Sequence, residues 1–321
     1  MNILFTSAGR RVSLIQAFHK EAALLSKNHQ IFTADSNPEL SSACQLYGKY
    51  FKVPIISSQH YVNALMEIAL RNKIKLIIPT IDDELSILSE SKMKFKENGI
   101  DVLISDLELI RNCRDKRKTH QLFNKKGIKT AKYIDRNSPT YPIFVKPFDG
   151  SGSKDTQLIK NSSQMTDSIL NNKNLMFLEY LDLKEYVEFT VDLYYDRNSE
   201  LKCIVPRERI EVRDGEVTKG ITRKNHFLPF IKERFSNLSG VIGCINIQFF
   251  NNISTNDIIG IEINPRFGGG YPLSYFAGAN FPRWIIEEYF FNKKIEYFDK
   301  WEENLLMLRY DEEVFVHDSK S

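Results

Sequence analysis

The chain has 321 residues, which is long enough for two or three compact domains, each with its own core. Lysine and arginine number 44 against 41 for aspartate and glutamate, so the net charge gives no reason to expect nucleic acid or an anionic membrane as a partner. The cysteines form no CxxC pair, the histidines form no HExxH motif, and no apolar run approaches the roughly 20 residues of a membrane span. We therefore expect a cytoplasmic protein with reduced, buried thiols and a small-molecule partner.

Residues 1–112 alternate short apolar runs with segments of helical period. Helices are predicted at Arg11–Leu25, His60–Asn72 and Asp83–Asn98. A strand followed by a helix, repeated, indicates a parallel sheet, and thus an N-terminal α/β domain of Rossmann-like type. The predicted strands are Asn2–Thr6, Gln30–Ala34, Tyr50–Pro54, Leu76–Pro79 and Asp101–Ile104.

The carboxyl ends of these strands are candidate substrate contacts, because such ends face a ligand crevice in parallel sheets. Polar residues occupy three of them, Ser7–Arg11, Asp35–Pro38 and Pro79–Glu84. A simple βα turn and an acidic helix start are structural alternatives for the first and the third. A single glycine after the first strand falls short of GxGxxG, so a dinucleotide site is poorly supported.

A basic helix and a glycine-rich loop follow. Residues 114–127 predict one helix, with Asp115 near its start, and the strand after it carries Lys146. That strand runs into Asp149–Ser153, where backbone N–H groups can approach phosphate oxygens while a nearby ammonium neutralises charge. The loop lacks the GxxxxGK[ST] pattern, and a common turn is the alternative.

The second half of the chain predicts antiparallel strands with flanking helices. Residues 175–179 form an apolar strand, and Val187–Tyr195 alternates apolar and polar residues. Asp214-Gly215 is a turn signal between two strand-like segments. The sequence therefore predicts an α+β fold distinct from the first domain.

A polar hairpin near the end of the chain is the strongest functional signal. Gly243–Phe250 should pair with the strand that ends in Ile259–Asn264, which places Gln248 beside Glu262 and Asn264. Three oxygen ligands on adjacent strand positions suit Mg²⁺, and a solvated sheet face is the structural alternative.

Alternation predicts which side chains share a face of this strand. Ile259, Ile261 and Ile263 should lie on one face, and Gly260, Glu262 and Asn264 on the other. Pro265 should end the strand, because it cannot donate to the ladder, and release Arg266 and three glycines as a flexible loop of close approach.

Taken in order, these motifs resemble those of the ATP-grasp superfamily, most of all its carbamoyl-phosphate-synthase-like carboxylate ligases. The similarity covers roughly residues 113–292 and implies a Rossmann-like pre-ATP-grasp domain followed by an ATP-grasp fold of two subdomains. The expected units are 1–112, the N-terminal domain; 113–182, the small subdomain with its linker helix; 183–300, the subdomain with the metal site; and 301–321, a C-terminal segment. The motifs are Asp115-Lys116, Val145-Lys146-Pro147, Glu179-Tyr180-Leu181, Glu188–Asp192, Gln248 and Glu262–Arg266.

The resemblance implies a nucleotide site. Two lysines would contact the ATP phosphates, and the glycine- and serine-rich loop would close over them. Glu179 would accept from the adenine amino group beside two backbone contacts, and Glu188 would hold the ribose, although Glu185 is close enough to exchange with it. The implied nucleotide-binding residues are Lys116, Lys146, Ser151, Gly152, Ser153, Glu179, Tyr180, Leu181 and Glu188.

The same resemblance implies a metal site and two catalytic residues. Gln248, Glu262 and Asn264 would bind one or two Mg²⁺ ions, with Mn²⁺ as an alternative. Gln248 stands where many members have an acidic residue, and the carbamoyl-phosphate-synthase branch also uses glutamine there. Arg266 and Lys146 would stabilise the charge that develops during transfer. Arg207–Arg213 could contact an anion or form a solvated strand edge.

The implied reaction is phosphorylation of a carboxylate by ATP and attack of an amine on the acyl phosphate. The alternatives are a carbamoyl-phosphate-synthase-like phosphotransferase on a small carboxylate or carbamate, and a nucleotide-binding module without catalysis. The implied partners are small-molecule carboxylate and amine substrates, with a homodimer as one expected assembly.

Overall fold

The computed structural model describes residues 1–150 and 155–317. The predicted phosphate-loop residues Ser151, Gly152 and Ser153 lie outside this part of the chain. Every helix within it is too short or too polar to cross a lipid bilayer. All four cysteines fall inside it, and each is a buried free thiol, as predicted.

The N-terminal domain is built on a parallel sheet of five strands in the order β3-β2-β1-β4-β5, which confirms the predicted α/β architecture. Its apolar strands, among them Leu4 and Ile77, are buried on both faces, as parallel sheets require. The strands are β1 (Asn2–Thr6), β2 (Gln30–Asp35), β3 (Tyr50–Lys52), β4 (Leu76–Pro79) and β5 (Asp101–Val102). The helices are α1 (Val12–Leu25), α2 (Ser42–Tyr47), α3 (Tyr61–Arg71), α4 (Leu85–Glu90) and α5 (Lys92–Glu97).

The helix predicted over Asp83–Asn98 is interrupted. A 3-10 turn, Asp82–Glu84, precedes α4, and Ser91 is a turn residue between the end of α4 and the start of α5. Serine has a weak preference for helix interiors, which permits the break.

The helix predicted at 114–127 is preceded by a separate helix, α6 (Leu107–Arg114). The second helix, α7 (Lys116–Lys125), starts two residues later than predicted, because the Asp115 carboxylate caps it by accepting a hydrogen bond from the Arg117 N–H.

Three antiparallel strands in the order β8-β7-β9 form a small sheet, β7 (Ile143–Pro147), β8 (Gln157–Ile159) and β9 (Leu175–Glu179). A short helix, α8 (Asp167–Asn171), connects the last two. The strand that carries Lys146 is therefore central in this sheet. This position holds the lysine backbone between two neighbours.

A large sheet of seven strands in the order β15-β12-β11-β10-β13-β14-β6 forms the rest of the chain. Its neighbouring strands are antiparallel except β14 and β6, so a short strand from residues 113–182 joins the sheet that carries Gln248 and Glu262. The bounds are β6 (Lys129–Thr130), β10 (Tyr186–Tyr195), β11 (Leu201–Arg213), β12 (Glu216–Thr222), β13 (Gly243–Asn252), β14 (Ile258–Asn264) and β15 (Leu306–Leu308). The helices are α9 (Phe227–Phe235), α10 (Tyr271–Phe276) and α11 (Phe281–Phe291).

The N-terminal domain and the large sheet share one hydrophobic core. Phe5 and Phe18 from the first domain belong to the same buried cluster as Tyr194, Phe267 and Trp301. A second cluster fills the space between the large sheet, α7 and α9. Burial of this kind is the main stabilising contribution to folding, so the first domain is fixed against the large sheet.

Candidate active site

A cavity of about 340 Å³ opens between the small and large sheets. Its size is typical of a site for a small organic ligand. The cavity brings together predicted residues from both sheets and from α7. These are Lys116, Lys146, Glu179, Tyr180, Leu181, Glu188, Gln248 and Glu262.

One part of the cavity wall is apolar. Phe144 and Leu178 from the small sheet and Ile259 from the large sheet line it. At its edge the Glu179 carboxylate accepts from the Lys132 N–H at 2.9 Å, while the Glu179 N–H donates to the Lys132 carbonyl. This pairing fixes the end of β9, which Tyr180 and Leu181 follow directly. A flat aromatic base fits such a wall, with polar groups at its rim.

The two predicted lysines lie together. Lys146 is nearly buried, and burial lowers its pKa to about 8; Glu262 opposes this reduction and Lys116 adds to it. Lys116 is more exposed, and its ammonium donates to the carbonyl of Gly150, a residue of the predicted loop, at 2.6 Å. Two neighbouring ammonium groups in a partly buried site favour an anionic ligand, which relieves their mutual repulsion.

Only one of the two candidate ribose carboxylates lines the cavity. Glu188 does so and forms an ion pair with Arg209, with Oε1 3.1 Å from the guanidinium Nε. Burial raises the pKa of Glu188, Arg209 opposes the rise, and Glu262 adds to it. Glu185 is exposed and is not among the residues that line the cavity.

The hairpin of β13 and β14 contains a β-bulge that the sequence does not reveal. Gln248 pairs with Glu262 as predicted, but Phe249 pairs with Gly260, so Ile261 is an extra residue in β14. The predicted faces are therefore wrong for Ile259, Gly260 and Ile261. Ile259 and Ile261 line the cavity, and Gly260 faces the Phe123 side chain. A bulge puts two successive side chains on one side and reverses the alternation beyond it.

The donor set proposed for a metal fits Mg²⁺ in its chemistry. Asn264 donates through Nδ2 to Glu262 Oε1 at 3.0 Å and to Asn246 Oδ1 at 3.2 Å, which leaves its own oxygen for a cation. No lysine or arginine in residues 1–150 and 155–317 comes within 4.0 Å of the Glu262 carboxylate. The same residues contain no group of three His, Cys, Asp or Glu side chains that could share a metal, so amide oxygens must complete the set.

Arg266 joins the end of β14 to the N-terminal domain. Its guanidinium Nη2 lies 2.5 Å from Asp82 Oδ2, just beyond the end of β4. Burial tends to lower the pKa of Arg266, but the Asp82 carboxylate raises it overall. Asp82 and Asn264 also line a small recess next to the main cavity, together with Lys116 and Glu262. The structure thus brings Arg266 to the same end of the site as the metal residues.

The glycines after Arg266 allow close approach, as predicted. A Cβ on Gly270 would lie 2.3 Å from Arg207 Nη1, and one on Gly269 would lie 2.9 Å from Glu216 Oε1. The side chains of β11 and β12 therefore pack directly against bare backbone.

The predicted contacts at the first domain's strand ends have mixed roles. Glu84 is fully buried and accepts from the Tyr61 hydroxyl, the Ser7 hydroxyl and the Thr80 N–H. Burial raises the pKa of Glu84, although these hydrogen bonds oppose the rise. Glu84 therefore holds strand ends together, while Asp82 is the residue that reaches Arg266.

The segment Arg207–Arg213 fits neither of its two predicted descriptions as a whole. Arg207 is buried in a two-bond ion pair with Asp192, at 2.7 and 2.9 Å. Arg209 lines the cavity, whereas Arg213 is exposed and pairs with Asp311. The strand β11 runs from the protein interior to the protein edge, so its residues have different environments. One description cannot fit the whole segment.

Sequence reasoning also missed His120 and Asn246. His120 lines the cavity from α7, and Asn246 is buried and donates through Nδ2 to the Arg266 carbonyl at 3.0 Å. Asn246 stands two residues before Gln248 on the same face of β13, so alternation was the signal that could have found it. His120 gives no comparable signal, because it lies within a basic helix.

Two family models match the chain. One is described as "PylC-like, N-terminal domain" and matches residues 3–103. The other is described as "ATP-grasp in the biosynthetic pathway with Ter operon" and matches residues 171–311. A curated relative, the coenzyme gamma-F420-2:alpha-L-glutamate ligase of Methanococcus maripaludis, is 28% identical over 211 residues, which cover 59% of this chain and 67% of the relative.

Solved structures of similar fold include enzymes of several activities. N5-carboxyaminoimidazole synthetase from Staphylococcus aureus matches with a TM-score of 0.67 and 17% identity, over 89% of this chain and 76% of that one. Biotin carboxylase from Campylobacter jejuni, solved as a β-γ-ATP complex, matches with a TM-score of 0.71 and 13% identity, over 95% and 74%. An L-amino acid ligase from Bacillus licheniformis matches with a TM-score of 0.66 and 13% identity, over 90% and 73%. At these identities the likeness shows the fold alone, and it confirms the predicted fold class.

Proposed function

This chain belongs to the ATP-grasp superfamily, and from that premise we propose that it is an ATP- and Mg²⁺-dependent carboxylate–amine ligase. In the proposed reaction a substrate carboxylate oxygen takes the γ-phosphoryl group of ATP, and ADP leaves. An amine then attacks the acyl carbon, phosphate leaves, and the amine nitrogen loses a proton as the C–N bond forms. The named ligases among the similar proteins support this class.

One observation carries the proposal: a single cavity collects two lysines, an apolar wall and the Glu262 carboxylate, which forms no ion pair with any residue in 1–150 or 155–317. Lys116 and Lys146 are in position to bind phosphate oxygens, and Phe144 and Leu178 to pack on a base. Glu262 lies at the other end, hydrogen-bonded by Asn264. This distribution of charge suits a nucleoside triphosphate such as ATP that would lie along the cavity.

Each group has a defined task in this proposal. Gln248, Glu262 and Asn264 would hold Mg²⁺, which screens the charge of the phosphate oxygens when bound. Lys146, held by its central strand, would stabilise charge on the transferring group, and Arg266 would do so from the opposite side. Asp82 fixes the Arg266 guanidinium in place. The protein needs no covalent nucleophile, because positioning and electrostatics suffice.

We expect Glu262→Gln to abolish ATP turnover while the protein still folds. Glutamine keeps the shape and the hydrogen bond from Asn264 but removes the negative charge that favours Mg²⁺. ADP release would be followed with Mg²⁺ present, and unfolding in urea would report on the fold. Glu90→Gln, an exposed carboxylate of α4, is the matched control. Substantial Mg²⁺-dependent ADP release by Glu262→Gln would contradict the proposal.

Identifying the substrates requires a screen of ADP release over paired carboxylates and amines, with mass spectrometry of the product. An amide that forms only with ATP, a carboxylate and an amine would support the ligase. A phosphorylated product that accumulates without any amine would indicate a phosphotransferase, and nucleotide binding without ADP release would indicate a non-catalytic module. We propose the cytoplasm, where ATP is available, as the compartment, and a homodimer as an assembly that light scattering would test.

A further inference from the structure

Two arginines from distant parts of the chain, Arg11 and Arg309, form ion pairs with the Glu216 carboxylate. Arg309 Nη1 lies 2.8 Å from Glu216 Oε2, and Arg11 Nη1 lies 3.7 Å from Glu216 Oε1. Burial would raise the pKa of Glu216, but Arg11, Arg309 and the neighbouring Arg10 together lower it. Three arginines therefore act on the Glu216 carboxylate, and among the described residues positive charge is in excess around it.

The Arg11 guanidinium keeps hydrogen-bond donors that the described residues do not use. The Arg11 side chain is largely buried, yet it donates no hydrogen bond to any residue in 1–150 or 155–317, and its ion pair with Glu216 is too long for one. Arg10 is exposed. Arg11 is also the N-terminal cap residue of α1, a helix with no side-chain cap and no acidic residue in its first turn. The N–H groups of that turn add further positive potential.

The arginine cluster, Arg10, Arg11 and Arg309, lies against the loop that follows Arg266. Arg309 Nη2 donates to the Gly269 carbonyl at 2.6 Å, and a Cβ on Gly269 would lie 3.1 Å from Arg11 Nη1. The pKa of Arg11 is lowered by burial and then by Arg266, while Glu216 and Asp82 oppose this. Arg11 is therefore close enough to Arg266 for the two positive charges to repel each other.

A second donor near the same loop also lacks a partner. Arg207 is buried and donates hydrogen bonds from Nε and Nη2 to the Asp192 carboxylate. Its Nη1 has no hydrogen-bond partner within the described residues. A Cβ on Gly270 would come within 2.3 Å of this nitrogen. A buried guanidinium donor without a partner is costly. Nη1 of Arg207 therefore packs against the backbone of the glycine loop, and the charge of this guanidinium is already paired with Asp192.

We propose that the arginine cluster binds a carboxylate of the substrate other than the one that receives the phosphoryl group. This inference rests on the proposed ligase function and narrows its substrate class. Either the amine carries its own carboxylate, as an amino acid does, or the phosphorylated substrate is a dicarboxylic acid. In both cases the guanidinium groups of Arg10 and Arg11 bind the second carboxylate, because a guanidinium can donate two parallel hydrogen bonds to one carboxylate.

The test compares each free acid with its amide. ADP release would be measured for amino acids against the matching amino acid amides, and for dicarboxylic acids against their monoamides. We expect the free acid to be favoured in one of the two series. In that series Arg11→Gln and Arg10→Gln should each raise KM for the free acid by about tenfold or more, the typical effect of losing a charged hydrogen bond. KM for ATP and KM for the amide should change by less than about twofold, as should all values for Arg71→Gln, an exposed arginine of α3.

The outcomes separate this inference from the proposed function. ADP release that is equal for acids and amides, or equally impaired for both by Arg11→Gln, would overturn the carboxylate site and leave the ligase intact. Thermal stabilisation by the same compounds, with ADP and Mg²⁺ present, is the second readout. Stabilisation by acids that Arg11→Gln removes, without ADP release, would keep the site and overturn the ligase. Absence of both signals would overturn both.

Discussion

His120 is a buried imidazole in the wall of the cavity between the small and large sheets. It is 2% exposed, packs edge-on against the Tyr133 ring, and its Nδ1 has no hydrogen-bond partner within the described residues. Burial, and then the positive charge of Lys146, lower the pKa of His120 to about 4 from an ordinary 6.5. The folded protein therefore holds this ring in its neutral form.

This depressed pKa predicts acid sensitivity. Between pH 6.5 and about 4 the unfolded chain binds a proton at this residue that the folded chain does not. The contribution of His120 to stability is present above pH 6.5 and is lost as pH falls toward 4, by about 2 kcal/mol at pH 4.5. Urea unfolding at pH 7.5 and 4.5 would show a larger loss for wild type than for His120→Phe. Parallel losses in the two proteins would contradict the assignment.

At the scale of single residues, the sequence predicted the charged members of the site better than their partners. Lys146, Glu188 and Glu262 follow from motif and alternation, and the structure brings them to one cavity. Their roles stay predictions. The partner of Glu188, Arg209, was not predictable, because a cross-strand ion pair depends on register that is set by distant turns.

At the scale of elements, α7 and β14 approach each other more closely than a side chain at Gly260 would permit. A Cβ there would lie 2.6 to 2.8 Å from ring atoms of Phe123. Phe123 is fully buried and packs against Phe249, so its ring has little room to move. The bulge at Ile261 turns this position toward the helix.

We expect Gly260→Ala to destabilise the protein by roughly 1 to 3 kcal/mol, the usual cost of overpacking a core. The free energy of unfolding in urea would measure the change. The double variant with Phe123→Leu should lose less stability than the two single variants lose together, because the smaller side chain removes the clash. Strict additivity of the two losses would show that the contact does not limit this position.

The elements themselves were largely predictable, and their irregularities were not. The period of apolar residues gave β1, α1 and β4 within a residue of their observed bounds. The bulge in β14 was missed, because Ile259, Ile261 and Ile263 alternate just as an unbroken strand would. Only pairing with β13 shows that one of them is extra.

At the scale of the whole molecule, the Asp82–Arg266 ion pair links the N-terminal domain to the end of β14 that carries Glu262 and Asn264. Arg266 is largely buried, and Asp82 is the carboxylate that holds it. The sequence predicted both residues as candidates for substrate or transfer but not their contact. Their separation along the chain hides it, and only the shared core of the two domains brings them together.

Removing this carboxylate should impair transfer more than nucleotide binding. We expect Asp82→Asn to lower kcat by about tenfold or more, because Arg266 loses its orienting charge, while KM for ATP changes by less than about twofold. Steady-state ADP release would provide both constants, and a melting temperature would report on the fold. Asp101→Asn, a surface ion-pair partner in the same domain, is the control. An unchanged kcat with a raised KM for ATP would assign Asp82 to the nucleotide site instead.

The Asp82–Arg266 contact also limits how this protein can change over evolutionary time. The two residues lie 184 positions apart, in units that recombination could exchange separately. A chimera that received its first domain from a relative without this carboxylate would carry a buried arginine with no counter-charge, an expensive state for any fold. The two units are therefore expected to be inherited as a pair, and substitutions at either position to be tolerated only when the other changes with it.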